Sequence, residues 1–231
     1  LSQGILMDHF HLPPPLHTPY NPPYVPEVIG NVMEVVGESS LFTFHVESPP
    51  ISTGRDVGSE DDLRCAKLEA DELHEVLGPL LEAALRDDPE FPPPDADESA
   101  FLLDWLSTWP LEVWIIRKGQ EPAGFVLLQP DLAPAMTRAR GGRNLLWRGW
   151  LKWRMGRPVS SGRIVLGGVH PEWRRQGIGR RLWQQALHAA AANGWRTLTI
   201  GPVANDSPGA HFLHAMGATP QQRYALFATD L

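Results

Sequence analysis

Apolar and polar positions alternate in two rhythms along the second half of this 231-residue chain. The run from Arg163 to Val169, RIVLGGV, is almost continuously apolar or small, as a buried strand requires. After Gln176 the residues Ile178, Leu182, Ala186 and Ala189 recur at spacings of three and four, which predicts an amphipathic helix. Strand, turn and helix therefore follow one another. Upstream, Leu63, Leu68, Leu73, Leu77, Leu80 and Leu81 fall on one side of a helix predicted over residues 61–86, with Gly78-Pro79 kinking or splitting it. A proline-rich acidic loop follows, and Asp97 or Ser99 is placed to cap a second helix through AFLLDWLSTW. LEVWIIRKGQEPAGFVLLQPDL reads as two strands around a turn at Lys118 to Glu121. Near the end, RTLTIGPV predicts a strand, SPGAHFLHAM a short helix stopped at Gly217, and RYALFAT a last strand.

The first fifty residues carry the same order in miniature. GILMDHF, an asparagine-led helix within YNPPYVPEVIG, and SLFTFHV predict strand, helix and strand, which matches the order of the last thirty-five residues. The chain divides on this reading into an extension over 1–50 and a domain over 51–231. The alternative for the extension is a proline-rich arm.

The join between the apolar strand and its helix holds the candidate chemistry. VHPEWRRQGIGRRLWQQAL, Val169 to Leu187, contains Arg174, Arg175, Arg180 and Arg181 with Gly177 and Gly179. Pro171 favours leaving the strand, and the glycines let backbone approach a ligand closely where the helix opens. First-turn amides lack partners inside a helix and sit at the positive end of its dipole, so such a turn is suited to an anion, phosphate above all. Position 182 is Leu, so the dinucleotide pattern of three glycines is absent, and no G-K-[ST] completes a P-loop.

The string Val169-x-Pro171-x-x-Arg174-x-x-Gly177-x-Gly179-x-x-Leu182 resembles the acyl-CoA signature of the GNAT superfamily of N-acyltransferases. The resemblance implies an α/β (α+β) fold, a central mixed twisted sheet flanked by helices. It implies acetyl-CoA, or another acyl-CoA, as co-substrate, with no metal. By position, the backbone of Gly167, Gly168 and Val169 would meet pantetheine. The amides of Arg175, Gln176, Gly177, Ile178, Gly179 and Arg180 would meet pyrophosphate, and Arg174 is a further cofactor-binding residue. The family pattern around its last helix corresponds here to NDSPGAHFLHAMGA. Asn205 is then the pantetheine contact, while the tyrosine that protonates the leaving thiolate is replaced by Leu213. YNPPYVPEV and EPAGFVLLQPDL also resemble long bacterial members, which implies that the extension is the tail of a preceding GNAT-like unit.

Charge sharpens this picture. The net charge of −7 conceals 4 basic and 21 acidic residues up to Asp104, against 16 basic and 6 acidic beyond it, so the anion-binding turn lies in the basic half. A segment over 133–158 carries seven of those cations and no acid: Arg138, Arg140, Arg143, Arg148, Lys152, Arg154 and Arg157. Trp147, Trp150 and Trp153 alternate with them, and NLLWRGWLKWRM predicts a helix that serves as a substrate lid, a membrane-surface or partner element, or a helix packed on the sheet. Cys65, the one cysteine, excludes an internal disulfide and is expected to be a small packing residue in a reducing, cytoplasmic setting. No apolar run of the length of a membrane span and no signal peptide is read in the sequence.

The function expected from these features is transfer of an acetyl or other acyl group to an amine by direct attack in a ternary complex. His170 and His214, with His211, are the candidate bases. The acceptor is an amine on a small molecule or peptide, and an anionic one if the basic segment lines the cleft. Neither nucleic acid nor membrane is expected as partner, and a homodimer is open. The alternative is a catalytically silent acyl-CoA-binding or regulatory module, favoured by Leu213. His9, His11 and His17 lack the acid or cysteine spacing of a metal site.

Overall fold

A computed structural model of the chain describes residues 4–15, 18–46, 63–86, 95–139 and 145–228. In chain order the elements are β1 (Ile5–Leu6), α1 (Val25–Gly30), β2 (Glu34–His45), β3 (Leu63–Lys67), α2 (Gly78–Leu85), α3 (Ala96–Ser107), β4 (Glu112–Lys118) and β5 (Glu121–Pro130). They continue with α4 (Ala133–Arg138), α5 (Leu145–Met155), β6 (Ser161–Val169), α6 (Ile178–Ala192), β7 (Thr197–Ala204), α7 (Pro208–Ala215) and β8 (Thr219–Ala228). The residues fall into two compact units, and β6 contributes to both.

One unit comprises Leu1–His45, Asp131–Arg163 and Gly194–Leu231. Its strands run in the order β1, β8, β2, β7, with β2 antiparallel to β8 on one side and to β7 on the other. The predicted N-terminal strand, helix and strand are all present, and β2 lies inside the sheet. Its Leu41 and Phe42 are almost wholly buried, as are Leu6 and Tyr224. Asn21 does not lead α1, whose N-cap is Tyr24. Its amide instead reaches Leu6, accepting from the backbone N–H at 2.7 Å and donating to the carbonyl at 3.1 Å, so it satisfies a backbone edge of a two-residue strand. The start of β6 runs parallel to β7: Arg196 N–H donates to Ser160 O (2.7 Å), and the Arg163 guanidinium donates to Gly201 O (2.6 Å). Burial holds the Arg163 guanidinium down at about 10, against the opposing pull of Asp131 and Tyr224.

The other unit comprises Val46–Pro130 and Ile164–Asn193. Here β5 is flanked by β6 and β4, and β3 closes the order beyond β4. β5 and β6 are antiparallel, since His170 N–H donates to Ala123 O at 2.9 Å while Asp131 N–H donates to Ser161 O at 2.9 Å. With antiparallel and parallel neighbours both present, the sheet is mixed and the fold is α/β. The core of this unit gathers Leu77, Leu81, Leu103, Leu106, Ile115, Phe125 and Leu127 between helices and strands.

Three sequence expectations are corrected in this unit. Residues 63–67 form strand β3, paired from Leu63 opposite Lys118 to Lys67 opposite Trp114, and not the start of a helix. Leucine spacing alone cannot see that pairing, because its partner lies some fifty residues away. The helical part begins as a π-helical turn at Leu73–Leu77, and Gly78-Pro79 open α2 where a proline's missing N–H costs nothing. The cap of α3 is Asp95, in a reciprocal box with Glu98, in place of Asp97 or Ser99. Cys65 also departs from its expected packing role, because β3 leaves it exposed.

Candidate functional site

The site expected from sequence is built at the end of β6. Gly167 is exposed at the strand surface, whereas Gly168 is packed: a Cβ there would come within 2.8 Å of the Ala84 methyl and 3.1 Å of the Phe125 ring. Gly124 on β5 is equally tight, with an added Cβ 3.0 Å from Gly168 O, Ile178 and Leu182. These two glycines bring β5, β6 and α6 close together, and Ile178, Leu182, Ala186 and Ala189 are all buried on the resulting helix face. Adjacent amides of an extended strand point to opposite edges. Because His170 N–H is given to Ala123 O, the Val169 N–H is turned away from β5.

Beyond the strand, Pro171–Trp173 form one 3-10 turn. The chain then takes left-handed conformations at Arg175 (φ 62°) and Gly177 (φ 79°) before α6 begins. Glycine tolerates that conformation without cost, while a side chain does not. Gly177 is the N-cap of α6, and no side chain caps the helix. The first helical hydrogen bond runs from Arg181 N–H to Gly177 O at 3.1 Å. The N–H groups of Ile178, Gly179 and Arg180 therefore precede the helical ladder, at the positive end of a 15-residue helix. A Cβ built on Gly177 would meet nothing within 4 Å, so space in front of the turn is open.

Side chains brace the base of this turn. Arg174 donates from Nε to Val169 O (3.3 Å) and from Nη2 to Ala84 O (3.1 Å), which ties the loop to its own strand and to α2. Lys118, at the end of β4, donates to Gln176 Oε1 at 3.1 Å and lies 4.4 Å from the Trp173 ring centroid. Gln176 Nε2 donates in turn to Glu172 O at 3.2 Å. Sequence reading missed Lys118, Trp173 and the Ala84 carbonyl, because contacts across some tens of residues leave no mark in local spacing.

Asn205 belongs to the unit that holds β7, where its Oδ1 accepts from Ser40 Oγ at 2.7 Å and its backbone N–H donates to Glu38 O at 3.0 Å. His214, near the end of α7, is exposed and meets Phe42 edge to face at 5.0 Å; His211 is exposed on the same helix. His170 caps the 3-10 turn through Nδ1, which accepts from Glu172 N–H at 3.4 Å. Leu213 is buried in the core at 6% exposure. Among the described residues no group of three or more histidine, cysteine or acidic side chains could hold a metal. Arg140, Arg143 and His17 lie outside the described residues.

The profile of the Acetyltransferase (GNAT) family matches residues 79–218, more than half of the chain. The chain belongs to the GNAT family. No curated protein sequence matches it. Among solved structures, a tandem GNAT protein from the clavulanic acid biosynthesis pathway superposes with a TM-score of 0.59 at 13% identity, covering 97% of this chain and 62% of that one. A GCN5-related N-acetyltransferase from Sphaerobacter thermophilus gives 0.57 at 13% identity, covering 89% and 55%. A conserved protein of unknown function from Staphylococcus epidermidis gives 0.53 at 11%, covering 93% and 70%. At these identities the likeness is one of fold. This GNAT chain spans less than two thirds of the tandem and Sphaerobacter proteins. No helix among the described residues is long and apolar enough to cross a membrane.

Proposed function

We propose that this GNAT chain transfers an acyl group, most simply acetyl, from acyl-CoA to an amine. The observation that carries the reading is the uncapped start of α6, held open behind a braced turn at the family's acyl-CoA signature. Arg175, Gln176, Gly177, Ile178, Gly179 and Arg180 would hold the pyrophosphate on backbone N–H groups, with Arg174 acting as the brace. Val169, turned away from β5, would lend its N–H to the thioester carbonyl, with Gly167 and Gly168 along the pantetheine arm. Acyl-CoA supplies the activated acyl carbon. The acceptor nitrogen bonds to that carbon as the C–S bond breaks, the amine loses a proton and the thiolate gains one.

A second reading rests on Leu213. A buried leucine cannot deliver that proton, which favours an acyl-CoA-binding module that does not turn over. Calorimetry with CoA and acetyl-CoA, alongside thiol release over a panel of neutral and carboxylate-bearing amines, separates the two. Tight binding with no turnover selects the silent module, and no binding of either ligand overturns both. We further assign residues 1–50 to the tail of a preceding GNAT-like unit. The insertion of β2 between β7 and β8 supports this, as does the shared order of β1-α1-β2 and β7-α7-β8.

A further inference from the structure

The α5 helix sets a problem that acyl transfer does not absorb. None of its eleven residues is buried. Leu145 and Leu146 are 82% and 85% exposed, and Trp153 is 54% exposed. At about 100° per residue, Leu146, Trp147, Trp150 and Trp153 fall within one arc, while Arg148 and Lys152 fall on the opposite side. Arg154, the cation inside the apolar arc, is folded onto the helix end: its Nη1 donates to Pro158 O at 3.1 Å and to Arg157 O at 3.5 Å. The Arg157 guanidinium lies 3.8 Å from the Trp153 ring centroid. Leu145, Leu146 and Trp153, which a folded chain would hide, are here held out to solvent.

We propose that α5 is an interfacial helix that docks on an anionic lipid surface. Three observations select that occupant. The described residues 145–158 carry four cations, Arg148, Lys152, Arg154 and Arg157, and no acid in a chain whose net charge is −7, so their field is local and complementary to anionic headgroups. The apolar arc combines leucine with tryptophan, the pairing that seats a helix at the boundary of headgroup and acyl chain. Nucleic acid fits less well: Trp147 and Trp150 meet edge to face at 84°, so their faces do not form a stacking ladder, and Leu145 and Leu146 would gain nothing from bases.

The test is co-sedimentation of the full chain with phosphatidylcholine vesicles, with and without one-third phosphatidylglycerol. Partition onto the anionic vesicles should exceed that onto the neutral ones by about tenfold or more and collapse when salt is raised several-fold. Arg148→Glu with Lys152→Glu should remove the preference for anionic lipid. Leu146→Ser with Trp153→Ser should weaken binding to both, and neither pair should change CoA affinity or the thermal midpoint. The proposal is overturned if wild type stays in the supernatant, if the variants bind like wild type, if a single-stranded oligonucleotide competes with the vesicles, or if α5 variants change oligomeric state instead.

Discussion

Two strand-to-helix crossings in this chain finish in opposite ways. Where β7 passes to α7, the chain satisfies itself: Ser207 Oγ accepts from Ala210 N–H at 3.1 Å and donates to Ala204 O at 2.8 Å. The neighbouring Asn205 is held by Ser40 and Glu38 of β2. Where β6 passes to α6, the cap is a glycine with no side chain to offer. The polar side chains of the turn, Arg174 and Gln176, are spent on Val169, Ala84, Lys118 and Glu172 below it. One helix start is closed by its own sequence and the other is left for an anion. A family signature points to the second, but the contrast with the first is what gives it physical meaning.

The largest effect should come from removing what closes the first crossing. Deleting residues 1–46 takes Leu6, Leu41 and Phe42 out of the core and strips both β7 and β8 of their shared neighbour. At about 1.5–3 kcal/mol for each buried side chain, with the pairing lost besides, this consumes most of a normal stability of about 5–15 kcal/mol. The truncated chain should be insoluble or give no cooperative melt. A soluble truncation with a wild-type melt would show that β2 is an ornament.

Next in size is the open crossing itself. Valine at Gly177 must either sit at φ 79°, at a cost of about 1–2 kcal/mol, or rotate the peptides that present the amides. A Cβ at Gly177 meets nothing within 4 Å, so the backbone conformation and not a clash sets the cost. Gly177→Val should thus lower CoA affinity by about a hundredfold, or roughly 2.7 kcal/mol, with little loss of fold. Calorimetric affinity equal to wild type would show that the amides do not hold the ligand. At the closed crossing, Ser207→Ala should do the reverse: about 1 kcal/mol less stable in urea titration, with CoA affinity unchanged.

How far these two crossings can be read from sequence differs for a physical reason. The open one is written locally, as a strand, a proline, two glycines and a 3.6-residue period, so α6 and its buried face follow from a short window. At the closed one the Ser207 cap is equally local, but the hold on Asn205 depends on Ser40 and Glu38, some 165 residues away, and only folding brings them together. The same division accounts for β3, whose residues look helical until β4 pairs with them, and for Asp95, which caps α3 because the chain enters there extended at ψ 178°. Contacts that depend on where a ring points, as for His170 Nδ1 on Glu172 N–H, are invisible to spacing.

The smallest predicted effect tests whether the N-terminal residues act as the first unit's internal ligand. Asp8 accepts from the backbone N–H and from Nε of Arg223, both at 2.8 Å, and so fastens the chain beyond β1 to β8. Partial burial pushes its carboxyl up, but the two Arg223 bonds and His9 outweigh that and hold it below its ordinary value of 3.8. The folded state therefore binds this proton less readily than the unfolded chain. Its contribution is complete above the ordinary value and is lost as pH falls through the lowered one. With Arg223 largely exposed, screening trims the ion pair, so most of the effect lies in the charge-assisted bond from the backbone N–H, which a neutral amide oxygen accepts more weakly. Asp8→Asn should cost about 1 kcal/mol at pH 7 and progressively less in strong acid. Urea titrations of both proteins at neutral and acid pH measure the gap between them. A gap that does not narrow on acidification would mean that the Asp8 charge holds nothing, and that β1 is kept in place by Leu6 and Asn21 alone.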